Sequence, residues 1–284
     1  MQTTPSTSGV LENARGRSAD GSIVFIGTAT TLIRYAGFTI LTDPNFIHAG
    51  DHVHIGYGLR AKRLTNPAIE IEDLPPLDCV VLSHFHGDHF DQVAQARLDK
   101  SLPIVTTRHA AGALRSRGFS AAKGLETWQR SRFARNSAQL MVTAMPGKHG
   151  PGIMTYALPP VMGSILDFSD GRNNVPPLRI YISGDTLLHK DLREIPKRFT
   201  GIHIGLFHLG GTRVMGVMLT MDARQGLRAV RRINPDVAIP IHYDDYNVFR
   251  SPLRDFQKEV DDAGMQDRVA YLGRGQTYEF SITQ

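Results

Sequence analysis

Within Ser83-His84-Phe85-His86-Gly87-Asp88-His89-Phe90, three imidazoles and a carboxylate follow directly on the apolar run Cys79-Val80-Val81-Leu82. At an extended strand end, residues two apart point the same way, so His84 and His86 can hold one cation as a pair of imidazole nitrogens. Gly87 permits a sharp turn. Asp88 and His89 then emerge beyond it, placed for a second cation about 3.5–4 Å from the first, as in two-metal hydrolytic sites. Each half is incomplete, because a hydrolytic ion takes about three protein ligands and keeps a position open for water. The chain must therefore fold so that further ligands reach this loop from distant segments.

The rest of the sequence offers them in a repeated arrangement. Ile23–Ile26, Thr31–Tyr35 and Phe38–Thr42 read as a β-meander ending at Asp43-Pro44. Asp43 is either a turn-former or a partner that orients a ligand histidine. A helix-compatible stretch at 91–100, a strand at 103–106 and a helix at 108–117 stopped by Gly118 form a β-α repeat. Further apolar strands at 138–143, 178–182, 202–207 and 236–241 lead to His149, Asp185, His208 and His242. An amphipathic helix at 222–233, opened by Asp222, loaded with Arg231 and Arg232 and stopped by Asn234-Pro235, joins the last two strands as a β-α-β unit. Each candidate ligand thus follows a strand, and loops at one sheet edge are where layered α/β folds gather their chemistry. One ion would take His84, His86 and His149, the other Asp88, His89 and His242, with Asp185 bridging both.

Asn45 to Pro67 reads as a long irregular loop on the substrate side, with His54 and Tyr57 as candidate contacts and the basic Arg60-Ala61-Lys62-Arg63 favouring an anionic group. Tyr243, beside His242, is a further candidate contact. His208 precedes Gly210-Gly211 and serves either as a general acid or as a histidine capping its strand.

The net charge of +5 fits an anionic small-molecule or lipid-like substrate. The basic residues are scattered, and the densest group, Arg130, Arg132 and Arg135, has only Phe133 interleaved, which disfavours nucleic acid. The single cysteine, Cys79, excludes an intramolecular disulfide framework. Residues 1–21 are polar and read as a disordered lead-in without the apolar core of a signal peptide, leaving 22–284 as a single domain. No stretch has the ~18–20 apolar residues of a membrane span, so the expected location is the cytoplasm.

In the order Asp43, His84-x-His86-x-Asp88-His89, His149, Asp185 and His242, the chain resembles the metallo-β-lactamase superfamily from about Ile23 to Phe280. Phe25-Ile26-Gly27-Thr28-Ala29-Thr30-Thr31-Leu32-Ile33, Leu41-Thr42-Asp43-Pro44 and Pro240-Ile241-His242-Tyr243 are similar to the branch with ascorbate-6-phosphate lactonase and N-acyl-phosphatidylethanolamine phospholipase D. That branch commonly has histidine where Thr28 stands. The resemblance implies an αββα sandwich of two mixed sheets with helices outside and metals at one edge, and many members are homo-oligomers. It also implies a hydrolase in which two divalent ions, zinc by default with manganese or iron as alternatives, share a bridging hydroxide that cleaves a phosphodiester, lactone or other ester. Asp88 and Asp185 are then catalytic as well as ligands. A nuclease of the same fold is the alternative, and a non-catalytic scaffold or an oxidoreductase is the alternative of another class.

Overall fold

The computed structural model describes residues 21–56, 58–152, 158–169, 178–214 and 216–281. Tyr57 and residues 1–20 of the expected lead-in lie outside them. Gly21, read as the end of that lead-in, instead opens strand β1 (Gly21–Gly27), where it pairs with Phe280 and Tyr35. β1, β2 (Thr30–Tyr35) and β3 (Phe38–Thr42) form the expected meander. Ala36 and Gly37 between the last two have φ of 51° and 82°, the left-handed pair that a twisted two-residue hairpin demands.

The stretch expected to be irregular contains a small hairpin, β4 (His52–His54) and β5 (Arg60–Lys62). Each strand buries only its central residue, Val53 or Ala61, so three residues carry too little alternation to be read as strand. The chain continues through β6 (Cys79–Val81), α1 (Gln92–Arg97), β7 (Ile104–Thr107), α2 (Arg108–Arg115), β8 (Ala122–Leu125), β9 (Arg130–Arg135), β10 (Ala138–Pro146), β11 (Met162–Ser169) and β12 (Leu178–Ile182). It ends with α3 (Glu194–Arg198), β13 (Ile204–His208), β14 (Arg213–Val214), β15 (Val217–Met218), α4 (Ala223–Ile233), β16 (Val237–Ile241), α5 (Leu253–Asp262) and β17 (Thr277–Phe280). Helix α4 matches its sequence signals: Asp222 accepts from the Gln225 amide at 2.9 Å, and Asn234 closes the helix at φ 55°.

Among the described residues, two large sheets run in the orders β17-β1-β2-β3-β6-β7-β8 and β16-β13-β12-β11-β10-β9. Both are mixed, antiparallel in one part and parallel in the other, at β3-β6-β7-β8 and at β12-β13-β16. One core cluster joins inward residues of both, including Ile23, Phe25 and Ile33 from the first and Leu140, Ile165 and Ile180 from the second, and Leu227 and Val230 of α4 pack on it. A second cluster sets Ala94 of α1 and Ala110 and Leu114 of α2 against Ile26, Leu41, Val80 and Ile104 on the outer face of the first sheet. This is the expected αββα layering. Its parallel strands β3, β6, β12, β13 and β16 all send their C-terminal ends to one edge, where open α/β sheets place their chemistry. Cys79 is a free thiol in the core, its ionisation suppressed by burial.

Candidate functional site

At that edge the chain leaves β6 through Leu82 and Ser83 and makes a turn in which the His89 and Phe90 amides both donate to the His86 carbonyl. Asp91, just beyond, caps α1 by accepting from the Ala94 amide at 2.8 Å, and its other oxygen accepts from the amides of Phe46 and Ile47. The turn is thereby fixed from both sides. No side chain would fit at Gly87, whose Cα faces the His54 backbone and Val53. This seats the β4–β5 hairpin against the metal-type loop, and the Gly87 amide donates to the His54 carbonyl at 3.0 Å.

Potential ligand atoms gather in three buried groups, each lying within 4.8 Å: His84, His86 and His149; Asp88, His89, Asp185 and His242; and Asp43, His89 and His208. The first two bring together the residues assigned to each half from the sequence, with Asp185 falling in the second group. His84 Nε2 lies 2.9 Å from His86 Nδ1, about the separation of neighbouring ligands around an ion 2.0–2.1 Å from each. Asp185 Oδ2 lies 3.3 Å from His89 Nε2, and Asp185 Oδ1 lies 3.6 Å from His242 Nε2. His242 Nε2 is also 3.6 Å from Asp88 Oδ2.

The residues around these groups decide which nitrogen of each ring points inward. His149 Nδ1 lies 3.0 Å from the Asp185 carbonyl oxygen and His242 Nδ1 3.2 Å from the Leu209 carbonyl oxygen, so each donates outward and leaves Nε2 free. Thr220 donates its hydroxyl to Asp185 Oδ2 at 3.1 Å. His242 has φ 62° and Asp43 φ 36°, a left-handed backbone uncommon for either residue and typical of functional sites. The fit to cations rests on what remains unpaired. In the second group His89 Nε2, His242 Nε2, Asp88 Oδ1 and Asp185 Oδ1 are all buried without a hydrogen-bond partner, an arrangement that costs free energy unless something positive joins them.

The two halves differ in charge. Burial, then neighbouring imidazoles, holds His84 well below the usual histidine value and brings His86 down to about 4; burial also lowers His149. In the other half burial opposes every charge but is overcome. Asp185, Asp88 and Asp43 raise His89, while His89 and His242 bring Asp88 down to about 2 and hold Asp185 well below the carboxylate range. Bound cations would take the place of the protons on those rings.

In the third group Asp43 contacts both the ligand loop and two histidine rings. Its Oδ1 accepts from the Ser83 amide at 2.6 Å, and its Oδ2 lies 3.2 Å from both His89 Nδ1 and His208 Nε2. It orients a histidine of the second half. His208 is fully buried, with Nδ1 3.2 Å from Ser183 Oγ, so both ring nitrogens are engaged beneath the site.

Other expectations need correction. Tyr243 does not reach the site: it is buried between the sheets, tilted against Phe25, and its hydroxyl donates to the Leu272 carbonyl at 3.3 Å. Arg63 is not a substrate-facing cation either. It is fully buried 3.5 Å from Asp245, beside Thr28, Asn45 and Tyr246, because the hairpin folds its basic run inward at that one position. Asn45 passes this network on to the Gly87 carbonyl at 3.1 Å. Arg60 and Lys62 stay exposed, and His54 is exposed at the hairpin, its carbonyl accepting from the Gly87 amide of the ligand loop.

Comparison with known proteins agrees with this architecture. A UPF0173 metal-dependent hydrolase of Aeropyrum pernix is 23% identical over 92% of this chain and 98% of its own length. The isothiocyanate hydrolase from Delia radicum gut bacteria superposes with a TM-score of 0.75 at 23% identity, covering 92% of this chain and all of that one. Igni18, a metallo hydrolase of Ignicoccus hospitalis, does so with a TM-score of 0.70 at 22% identity, covering 93% and 99%. The beta-lactamase superfamily domain matches residues 37–243, from the last turn of the meander to the residue after His242. With that span matched and its ligand-bearing strand ends meeting at one edge, the chain belongs to the beta-lactamase superfamily.

Proposed function

We infer that the chain is a dinuclear hydrolase of a small or lipid-like substrate carrying a phosphodiester, lactone or other ester, in the branch of ascorbate-6-phosphate lactonase and N-acyl-phosphatidylethanolamine phospholipase D. The observation that carries this reading is the pair of adjacent buried groups of ligand atoms, four of which, in the group with the carboxylates, have no hydrogen-bond partner. Two divalent cations held there, zinc by default, supply a water of lowered pKa and Lewis acidity towards the substrate oxygen. His84, His86 and His149 would be the neutral ligands of one ion, and Asp88, His89 and His242 those of the other. Asp185 would be shared between them, with Thr220 fixing one carboxylate oxygen. Asp43 and His208 hold His89 in the tautomer that presents Nε2. In this reading His208 positions and does not donate a proton to the leaving group.

The similarity to an isothiocyanate hydrolase keeps carbon electrophiles beside phosphorus ones as targets. The test is the initial rate of bis(p-nitrophenyl) phosphate and p-nitrophenyl ester hydrolysis by metal-loaded protein. Asp185→Ala should lose about 10³-fold in rate at saturating metal. An unchanged rate in that variant, or equal rates with and without metal, would refute the reading.

A further inference from the structure

A cavity of about 500 Å³ opens beside the ligand-bearing loops. Its wall includes Lys148, the residue before His149, whose amide donates to Thr186 Oγ1 at 2.8 Å and whose carbonyl accepts from the Leu187 amide at 2.9 Å. It therefore shares that wall with the segment carrying Asp185. Across it lie Trp128, His189 and Arg198.

Trp128 has φ 72°, a left-handed conformation that is a true outlier for a bulky residue, locked by its amide donating to the Ala144 carbonyl at 2.7 Å. Strain of this kind persists where surrounding structure enforces it, often at ligand clamps. The Arg198 guanidinium sits 4.4 Å from the centre of the Trp128 ring, which fixes the cation in place. Among the described residues neither Arg198 nor Lys148 has a carboxylate within ion-pair distance. The two acids at the rim are otherwise directed: Glu194 pairs with Lys197 at 2.8 Å, and Asp191 is exposed, 3.5 Å from the His189 ring. With Asp191 at Nδ1, the Nε2 of His189 is left buried without a hydrogen-bond partner. Two uncommitted cations, an unsatisfied imidazole and a strained aromatic thus face one cavity.

We propose that this cavity binds an oxyanion, a carboxylate or phosphate, held by Lys148 and Arg198 with a hydrogen bond from His189. Resting on the hydrolase reading above, that oxyanion is the non-reacting end of the substrate, bound while its ester lies at the ligand groups.

Trp128 is the sole tryptophan, so its emission reports on the cavity directly and without turnover. Metal-loaded protein titrated with glutarate, and separately with inorganic phosphate, should give a saturable change with at least one, and the stronger response identifies the carboxylate or phosphate class. Lys148→Gln should weaken it about tenfold or more, the worth of one charge-assisted hydrogen bond. Arg198→Gln alters the surroundings of Trp128 itself, so its effect is read as loss of the anion-induced rise in melting temperature. The response should survive in Asp185→Ala. No saturable change, a change indifferent to Lys148→Gln, or one abolished by Asp185→Ala would overturn the proposal. In steady state the same anion should compete with a carboxylate-bearing ester; noncompetitive inhibition would overturn the assignment to substrate. Absence of all ester turnover with the titration intact would instead count against the hydrolase reading alone.

Discussion

The two ligand groups are built largely from one short loop, yet they are electrostatic opposites. His84, His86 and His149 are rings whose protonation is disfavoured by burial and, for the first two, by neighbouring imidazoles. Asp88 and Asp185 stay ionised among His89 and His242, which they charge in return. The turn at Gly87 is what separates them. A cation entering the first half finds borderline nitrogen donors and no formal charge, and one entering the second finds two carboxylates; the donor sets favour different metals.

The largest expected effect on this contrast comes from removing one half. The double variant H84A/H86A should retain a single tightly held cation per chain, at the half with the carboxylates, when loading is measured by equilibrium dialysis and elemental analysis. Loss of both ions would show the halves to be inseparable.

A smaller effect is expected from Asp43→Asn, which withdraws charge from His89 Nδ1 without disturbing the histidine group. Affinity at the carboxylate half should fall about 10–100-fold, with the other half unchanged, by isothermal titration. His208→Gln should move the same affinity in the same direction and by less. Equal weakening of both halves would dissolve the distinction.

The smallest effect concerns pH in metal-free protein. His86 is lowered from 6.5 to about 4, so the folded state binds its proton more weakly than the unfolded chain. Its contribution to stability is full above pH 6.5 and is lost as pH falls towards 4. Asp88, lowered from 3.8 to about 2, contributes above pH 3.8 and loses that only between 3.8 and 2. Urea melts followed by circular dichroism should thus lose midpoint first in the histidine window. A midpoint flat from pH 6.5 to 4 would contradict the neutral-ring description.

Much of this was legible in the sequence because the signals were local. The turn His84 to His89, the cap at Asp222 and the strands before Asp185 and His242 each announce themselves within a few residues. What escaped depended on distance or on weak alternation. β9 carries Arg130, Arg132 and Arg135 on an exposed edge, so its charges masked a strand. Arg63 reads as part of a surface basic run until Asp245, far along the chain, is brought beside it. For His208 the sequence leaves two roles open, and only the fold reveals Asp43 against its ring. The Trp128 cavity joins residues from four separate segments, and no spacing in the chain foretells it.

The ligand atoms are divided between the sheets: Asp43 and His84 to His89 follow strands of one, while His149, Asp185, His208 and His242 belong to strands of the other. A cation bound there acts as a rivet. Its binding free energy adds to the adhesion of two slabs that otherwise meet through apolar side chains. Metal supply would then govern how long the molecule survives heat and proteases.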